Sequence, residues 1–292
     1  MKIFRNKLLY LAVAIIMTFL SCSKEGEYSL SETAPLDFRS YYNGLTVSFV
    51  NLAENASDIS WNFGDDTPVV TGDSVVHTYT TIGNYVITMN GTVDGKQYIF
   101  HTVLRVDKAS VIDLTDDSFD DWNNVTYPDF QLEGKDHVIG GKVDYDANYV
   151  YIYLVYDTVV TNGIVPLDVG IVDLYMDVDN SAATGFSSAI GAELLFEGNA
   201  PSGWLDYYRF TGAAQSDWSW DYFSMDNAIT MGYSQELLDT VKMEFALSRE
   251  SFGINSDAFG FQLVLNYSDW SGEAGSLAKD NETRIVMRMD KQ

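Results

Sequence analysis

Cysteine occurs once in the 292 residues, at Cys22. An internal disulfide framework and a Cys-based zinc site are therefore excluded. Histidine occurs three times, at His77, His101 and His137. That scatter leaves no HExxH-type pair for a metal. Basic residues are scarce: 17 Lys plus Arg stand against 42 Asp plus Glu, a net charge of −25. Nucleic acid is excluded as a partner, because neutralising phosphates takes clustered cations. The same charge would set the folded part against an anionic membrane surface. The longest apolar run, Leu8 to Leu20, has 13 residues, whereas a spanning helix needs ~20.

What is present is apolar and aromatic. Hydrophobic residues make up 46% and charged residues 20%, too apolar a balance for a disordered chain. Aromatics reach 14%, a load that favours β-structure and leaves rings over for binding. The length suits two domains.

Lys2, Arg5 and Lys7 precede the apolar run, as in a signal peptide. Phe19-Leu20-Ser21-Cys22 follows and resembles a bacterial lipobox, although that family prefers Leu where Phe19 stands. The resemblance implies removal of residues 1–21, lipidation of Cys22 and an acylated tether over 22–37. The polar Ser-Lys-Glu-Gly-Glu after Cys22 is similar to the export stretch of Bacteroidetes outer-membrane lipoproteins. Contact with the membrane would then run through the lipid alone, with the protein on the cell surface. Residues 1–21 hold three of the basic residues and no acid, so the remainder carries 14 against 42. Such a chain repels itself unless cations neutralise part of it.

Between about 30 and 107, alternating runs predict short strands at Thr46–Val50, Ile59–Phe63, Val75–Tyr79, Asn84–Met89 and Tyr98–Val106. Asp94-Gly95 is a hairpin signal. Turns every 8–12 residues point to a β-sandwich. Trp61-Asn-Phe-Gly-Asp65, His77-Thr-Tyr79 and Ile82-Gly83-Asn-Tyr85 resemble the WxFGD, HxY and GxY motifs of polycystic kidney disease (PKD) domains. The resemblance implies an Ig-like sandwich over residues 38–107, with Trp61, His77 and Tyr79 structural and the domain serving as a spacer. Asp66 stands where that family usually has Gly.

Residues 110–292 hold a second set of strands, including Tyr149–Tyr156, Val169–Met176, Glu193–Glu197, Asp206–Phe210, Val241–Ala246 and Phe259–Leu265. Tyr149–Tyr156 is apolar on both faces, which places it under a second layer. The fold class is all-β, with a larger, jelly-roll-like sandwich following the Ig-like one. Asp120-Asp-Trp122 and Tyr175-Met-Asp177-Val-Asp179-Asn180, with Thr184-Gly185-Phe186 and Gly191-Ala192-Glu193, resemble carbohydrate-binding module family 9-like and DOMON-like sandwiches. That resemblance implies a sandwich with Trp122 in its core.

Two chemistries are open to the second domain. Asp177, Asp179, Asn180 and Glu193 form an oxygen-rich loop of the kind a structural Ca2+ would take. A solvated acidic turn is the alternative. Sugar binding needs flat apolar rings with a few polar partners. The candidates are Trp204, Tyr207, Arg209, Trp218, Trp220 and Trp270, with Tyr208 and Tyr222 nearby. Trp218 and Trp220 would share one side of a strand, and Arg209 could donate to sugar hydroxyls.

The function expected is that of a non-catalytic glycan-binding lipoprotein capturing polysaccharide or oligosaccharide on an aromatic platform. Its resemblance to surface glycan-binding proteins implies an outer-membrane glycan importer complex as partner. An adhesin or protein-interaction role is the main alternative. A glycoside hydrolase would need paired carboxylates, and no motif singles out a nucleophile.

Overall fold

A computed structural model describes residues 35–160, 165–166, 169–199, 204–224, 228–254, 256–277 and 284–289. The signal segment, Cys22 and the greater part of the tether lie outside the described residues. The chain forms two β-sandwiches. No described helix is long and apolar enough to cross a membrane.

The first sandwich runs β1 Phe38–Asn43, β2 Thr46–Asn51, β3 Ala56–Asn62, β4 Val70–Thr71, β5 Ser74–Thr78, β6 Gly83–Val93 and β7 Lys96–Val106. A three-stranded sheet of order β1-β2-β5 faces a four-stranded sheet of order β4-β3-β6-β7. Alternation turns Val47, Phe49, Ile59, Trp61, Ile87 and Met89 into the space between them, where all are buried. Trp61 donates its indole N–H to the Gly72 carbonyl at 2.8 Å, so the buried ring leaves no polar atom unpaired. Asp94 and Gly95 both take positive φ, +51° and +75°, as a two-residue hairpin turn requires.

The motif residues of this sandwich hold one another. His77 stacks on Phe63 with centroids 4.1 Å apart, and its Nε2 lies 2.6 Å from Asp65 Oδ2. Tyr79 donates to the Phe63 carbonyl at 3.3 Å. Burial works against ionisation of Asp65, but hydrogen bonds from Thr67 and His77 outweigh it and lower its pKa. Gly64 is required: a Cβ there would lie 2.6 Å from the Val86 carbonyl oxygen. Asp66 adopts φ +62°, the left-handed conformation that glycine takes without strain and that Asp tolerates.

The second sandwich runs β8 Gln131–Glu133, β9 Lys135–Asp136, β10 Val138–Tyr145, β11 Tyr149–Asp157, β12 Val159–Val160, β13 Val165–Pro166, β14 Val169–Asp177, β15 Leu194–Asn199, β16 Trp204–Phe210, β17 Trp220–Phe223, β18 Ile229–Glu236, β19 Thr240–Ser248, β20 Ala258–Tyr267, β21 Glu273–Ser276 and β22 Ile285–Arg288. A short helix, α1 Arg249–Phe252, follows β19, capped by the Ser248 side chain and ended by Gly253 at φ +70°. One sheet has the order β18-β19-β11-β10-β8. The other has the order β17-β16-β15-β14-β20-β21-β9, with β22 paired to β20. All their pairings are antiparallel.

The core between the sheets takes Val150, Ile152 and Leu154 of β11, Val172, Leu174 and Met176 of β14, and Phe259, Phe261, Leu263 and Leu265 of β20. The other face of β11 is covered as well. Trp122, in a 3-10 turn at Asp121–Asn124, stacks on Tyr153 at 5.5 Å, and Phe119 packs beside it at 5.2 Å. Trp122 is a core residue, and its indole N–H donates to Glu244 Oε2 at 2.6 Å.

The two sandwiches join through charge. Asp107, fully buried just after β7, accepts from Arg105 Nε at 2.9 Å and from Arg249 Nη1 at 2.8 Å. Lys108 pairs with Asp144 and lies over the Tyr145 ring. Arg105 also reaches Asp257.

Candidate functional site: the outer face of the large sheet

Register defines the site. On the sheet face turned away from the core, the β17-to-β20 pairings line up Tyr222, Tyr208, Leu195, Tyr175 and Gln262. Two residues along, the same strands line up Asp206, Glu197, Asp173 and Val264. The next row starts with Trp204 against Asn199 and ends with Asn266 on β20. In the other direction Trp220 pairs with Phe210, and Glu193 and Asp177 follow at the strand ends. The face is thus layered, with acids, then aromatics, then acids again.

The inner acidic row is partly buried. Asp173 is 7% exposed, and Asn266 Nδ2 donates to its Oδ2 at 2.9 Å. The Tyr175 side chain, two residues along the same face, hydrogen-bonds the carboxyl as well. Burial, and then the charge of Glu197 on the neighbouring strand, push the Asp173 carboxyl up to about 7. Burial and Asp206 raise Glu197 as well. Trp204 donates its indole N–H to Asp206 Oδ2 at 3.1 Å. Tyr208 and Tyr222 lie at 6.0 Å, edge to face. Tyr222 is 63% exposed and Trp204 40%. This part of the face therefore offers open rings beside hydrogen-bond acceptors.

The sequence candidates separate. Trp204 stands at the edge of this face. Trp218 is 65% exposed at the opposite end of the strands, against Phe186 at 5.1 Å. Trp220 lies 6.0 Å from Trp218 but at 72° to it, so the two rings form no common flat shelf. Trp220 is half-buried among Tyr175, Phe186 and Phe210, where it covers a second small core with Ile190, Ala192 and Leu195. Trp270 is 51% exposed in the turn between β20 and β21, at φ +61°.

Two candidates lie on the other side of β16. Tyr207 does not share a face with Trp204: it is an odd step along β16, and its ring packs inward against Phe196 at 5.6 Å. Arg209 has the same parity and lies over the Phe223 ring at 5.3 Å, on the side of β16 away from Trp204 and Tyr208. Neither belongs to the outer face. The residues that sequence reasoning passed over as ligand groups are Asp173, Glu197, Asp206 and Asn266. Their one signal was acids recurring inside otherwise apolar strands.

The acidic loop sits at the other end of β14. Asp177, Asp179 and Glu193 bring one carboxylate oxygen each within 4.8 Å of the others, and no other such trio occurs among the described residues. Asp177 Oδ1 accepts from Ser181 N at 2.8 Å, and Asp179 accepts from Thr184 Oγ1 at 3.0 Å. Glu193 Oε2 accepts from Val178 N at 3.0 Å, while its Oε1 is buried without a partner. Burial and the nearby Asp179 raise the Glu193 pKa. This all-oxygen set fits a hard cation such as Ca2+. Arg284 competes with it, since the guanidinium already touches Asp177 Oδ2. Asn180 is exposed at φ +56° and serves as a turn residue.

A cleft also lies elsewhere. It lies between the sandwiches, about 650 Å3 in volume, lined by Arg39, Arg105, Arg249 and Glu250 among others. Arg105 and Arg249 are already committed to Asp107. The sheet face, with open rings beside hydrogen-bond acceptors, is the better candidate.

Residues 39–95 match the PKD domain family and form a PKD domain. Two PKD domains of known structure are similar: PKD1 of the Vibrio cholerae metalloprotease PrtV and PKD1 of Vibrio anguillarum Epp. The first is 26% identical, covering 25% of this chain and 95% of its own, with a TM-score of 0.23. The second is 24% identical, covering 24% and 89%, with a TM-score of 0.23. A structure described as carbohydrate-binding modules from the β-sandwich superfamily is 13% identical over 73% of this chain and 90% of its own, with a TM-score of 0.25. No curated protein matches the chain.

Proposed function

We propose that the chain is a surface-tethered, non-catalytic glycan-binding protein whose second sandwich captures saccharide on the outer face of its large sheet. One observation carries this reading: Tyr208, Tyr222 and Trp204 stand beside Asp206, Glu197, Asp173 and Asn266 on one side of β14–β17 and β20. Rings of this kind stack on pyranose faces. The carboxylates and the amide accept from and donate to hydroxyls, which fixes orientation. The PKD domain acts as a spacer, and the buried Asp107–Arg249 pair keeps the binding sandwich aligned on it. Cys22 supplies the lipid anchor at the outer membrane, where an importer complex would receive the captured glycan. A Ca2+ ion held by Asp177, Asp179 and Glu193 would be structural, fixing the loop that carries Phe186 over the face.

Hydrolysis has one observation in its favour, the carboxyl pair Asp173 and Glu197 with the Asp173 pKa raised to about 7. Asp173 is almost wholly buried beside Asn266, whereas a general acid must reach the glycosidic oxygen. Binding is therefore the preferred function. The test is a polysaccharide panel run in affinity gels on the protein lacking its first 22 residues, with reducing-sugar release measured in parallel. Retardation without release is the expected result. Release would establish an enzyme, and neither would leave a protein partner.

A further inference from the structure

Exposure sorts the rings of this face by strand. On the row that crosses the sheet, Tyr222 on the outermost strand β17 is open and its neighbour Tyr208 is half-buried. Leu195, Tyr175 and Gln262, on the inner strands of the same row, are buried. A ligand lying across the strands would therefore lose its contacts after two of them. Along the strands the rings continue. Trp204 stands at one end of β16, Tyr208 and Tyr222 meet in its middle, and Phe210 pairs with Trp220 at its far end. There Trp218 is open to solvent against Phe186. These positions share one parity on β16 and β17, so they share the outer face. From Trp204 to Phe210 the strand advances six residues, roughly 20 Å at ~3.3 Å a residue. Three open rings, Trp204, Tyr222 and Trp218, are strung along the two outermost strands.

The rings are not coplanar. Tyr208 and Tyr222 meet at 73°, and Trp218 and Trp220 at 72°. A packed fibre surface needs rings in one plane, whereas tilted rings suit the units of one chain, which can turn about their linkages. Asp206 and Glu197, beside the rings, repel an anionic chain. We infer that the ligand is a single, neutral, extended glycan chain lying along β16 and β17, held through its interior units by Trp204, Tyr222 and Trp218 in turn. The inference rests on the glycan-binding reading above and gives it a substrate class: soluble linear polysaccharide, rather than chain ends or an insoluble fibre. Each ring buries apolar area only when a sugar unit reaches it. Affinity therefore grows with chain length until the far ring is covered.

The experiment takes the polysaccharide that the gels retard from a panel of soluble starch, xylan, mannan and mixed-linkage β-glucan. Oligosaccharides of two to six units cut from it are titrated into the purified protein by calorimetry. Affinity is expected to rise at least about tenfold from the shortest to the longest. Reducing the terminal unit of the longest to its alditol should leave its affinity in place. Trp218→Ala and Trp204→Ala, at opposite ends of the track, should each remove most of the rise with length. Trp218→Tyr, which keeps a flat ring, should restore most of it. Both tryptophans are exposed, so the melting temperature should not move; a structural defect would lower it and weaken short and long oligosaccharides alike. An affinity that does not change with length, a loss on reduction of the end unit, or a rise that survives both Ala variants overturns the inference and leaves the glycan reading standing. Retention on insoluble cellulose as strong as on the soluble chain does the same. Retardation by no member of the panel overturns both.

Discussion

Arg249 Nη1 donates to Oδ2 of Asp107 at 2.8 Å, and both side chains are buried. The pair binds α1 of the second sandwich to the end of the first, 142 residues away in the chain. The same Nη1 also donates to the Asp146 carbonyl at 2.7 Å, and Nε donates to Ile254 O at 3.2 Å. Removing one partner of a buried pair costs about 3–5 kcal/mol when the other charge is left alone, and less here, because Asp107 keeps Arg105. Arg249→Ala should therefore lower the urea midpoint of the second sandwich and free the angle between the two units. Denaturation with small-angle scattering checks both effects. A variant with unchanged midpoint and unchanged radius of gyration would show that the pair does not hold the junction.

The raised acids set a pH dependence. An unfolded Asp ionises near its model value of 3.8, and Asp173 in the fold near about 7. Between those values the folded state keeps a proton that the unfolded state has released. Stability therefore falls as pH rises from about 4 to about 7, by on the order of 4 kcal/mol for this group, and levels off above. Glu197, Glu193 and Glu244 are raised by burial and shift the same way. Asp173→Asn should raise the melting temperature at pH 8 and leave it unchanged near pH 4. Equal effects at both values would mean that the carboxyl titrates normally.

The aromatic residues divide by role. Trp204→Ala and Tyr222→Ala remove exposed rings, and should weaken glycan retardation about tenfold or more with no change in melting temperature. Trp220→Ala opens a gap among Tyr175, Phe186 and Phe210 and should cost about 2 kcal/mol, less than a fully buried tryptophan. Thermal melts run beside the gels separate the two outcomes. Weakened binding in Trp220→Ala at full stability would reverse the assignment.

Much of this was legible in the sequence. The Asp94-Gly95 hairpin and most strands of both sandwiches follow from alternation and turn residues. Tyr149–Tyr156 read as apolar on both faces because Phe119 and Trp122 cover its second face. The site was harder to see. Trp204, Tyr207 and Arg209 lie close in sequence, yet period-two alternation splits them between faces. Asp173, Glu197 and Asp206 come from three strands and meet only through their register, which no local pattern encodes.

Calcium can be tested without knowing the glycan. If Asp177, Asp179 and Glu193 hold the ion, added Ca2+ should raise the melting temperature, chelator should lower it, and Asp179→Asn should abolish the difference. By linkage the rise grows with the logarithm of free Ca2+ above its dissociation constant. An unchanged melting temperature would assign the loop to Arg284 as its only counter-ion.

The most direct test of the glycan-binding face is a footprint. Amide hydrogen exchange, with and without a retarded glycan, should show protection concentrated on β14 to β17 and the end of β20. Protection confined to the junction cleft or to the first sandwich, with that sheet unchanged, would contradict the account.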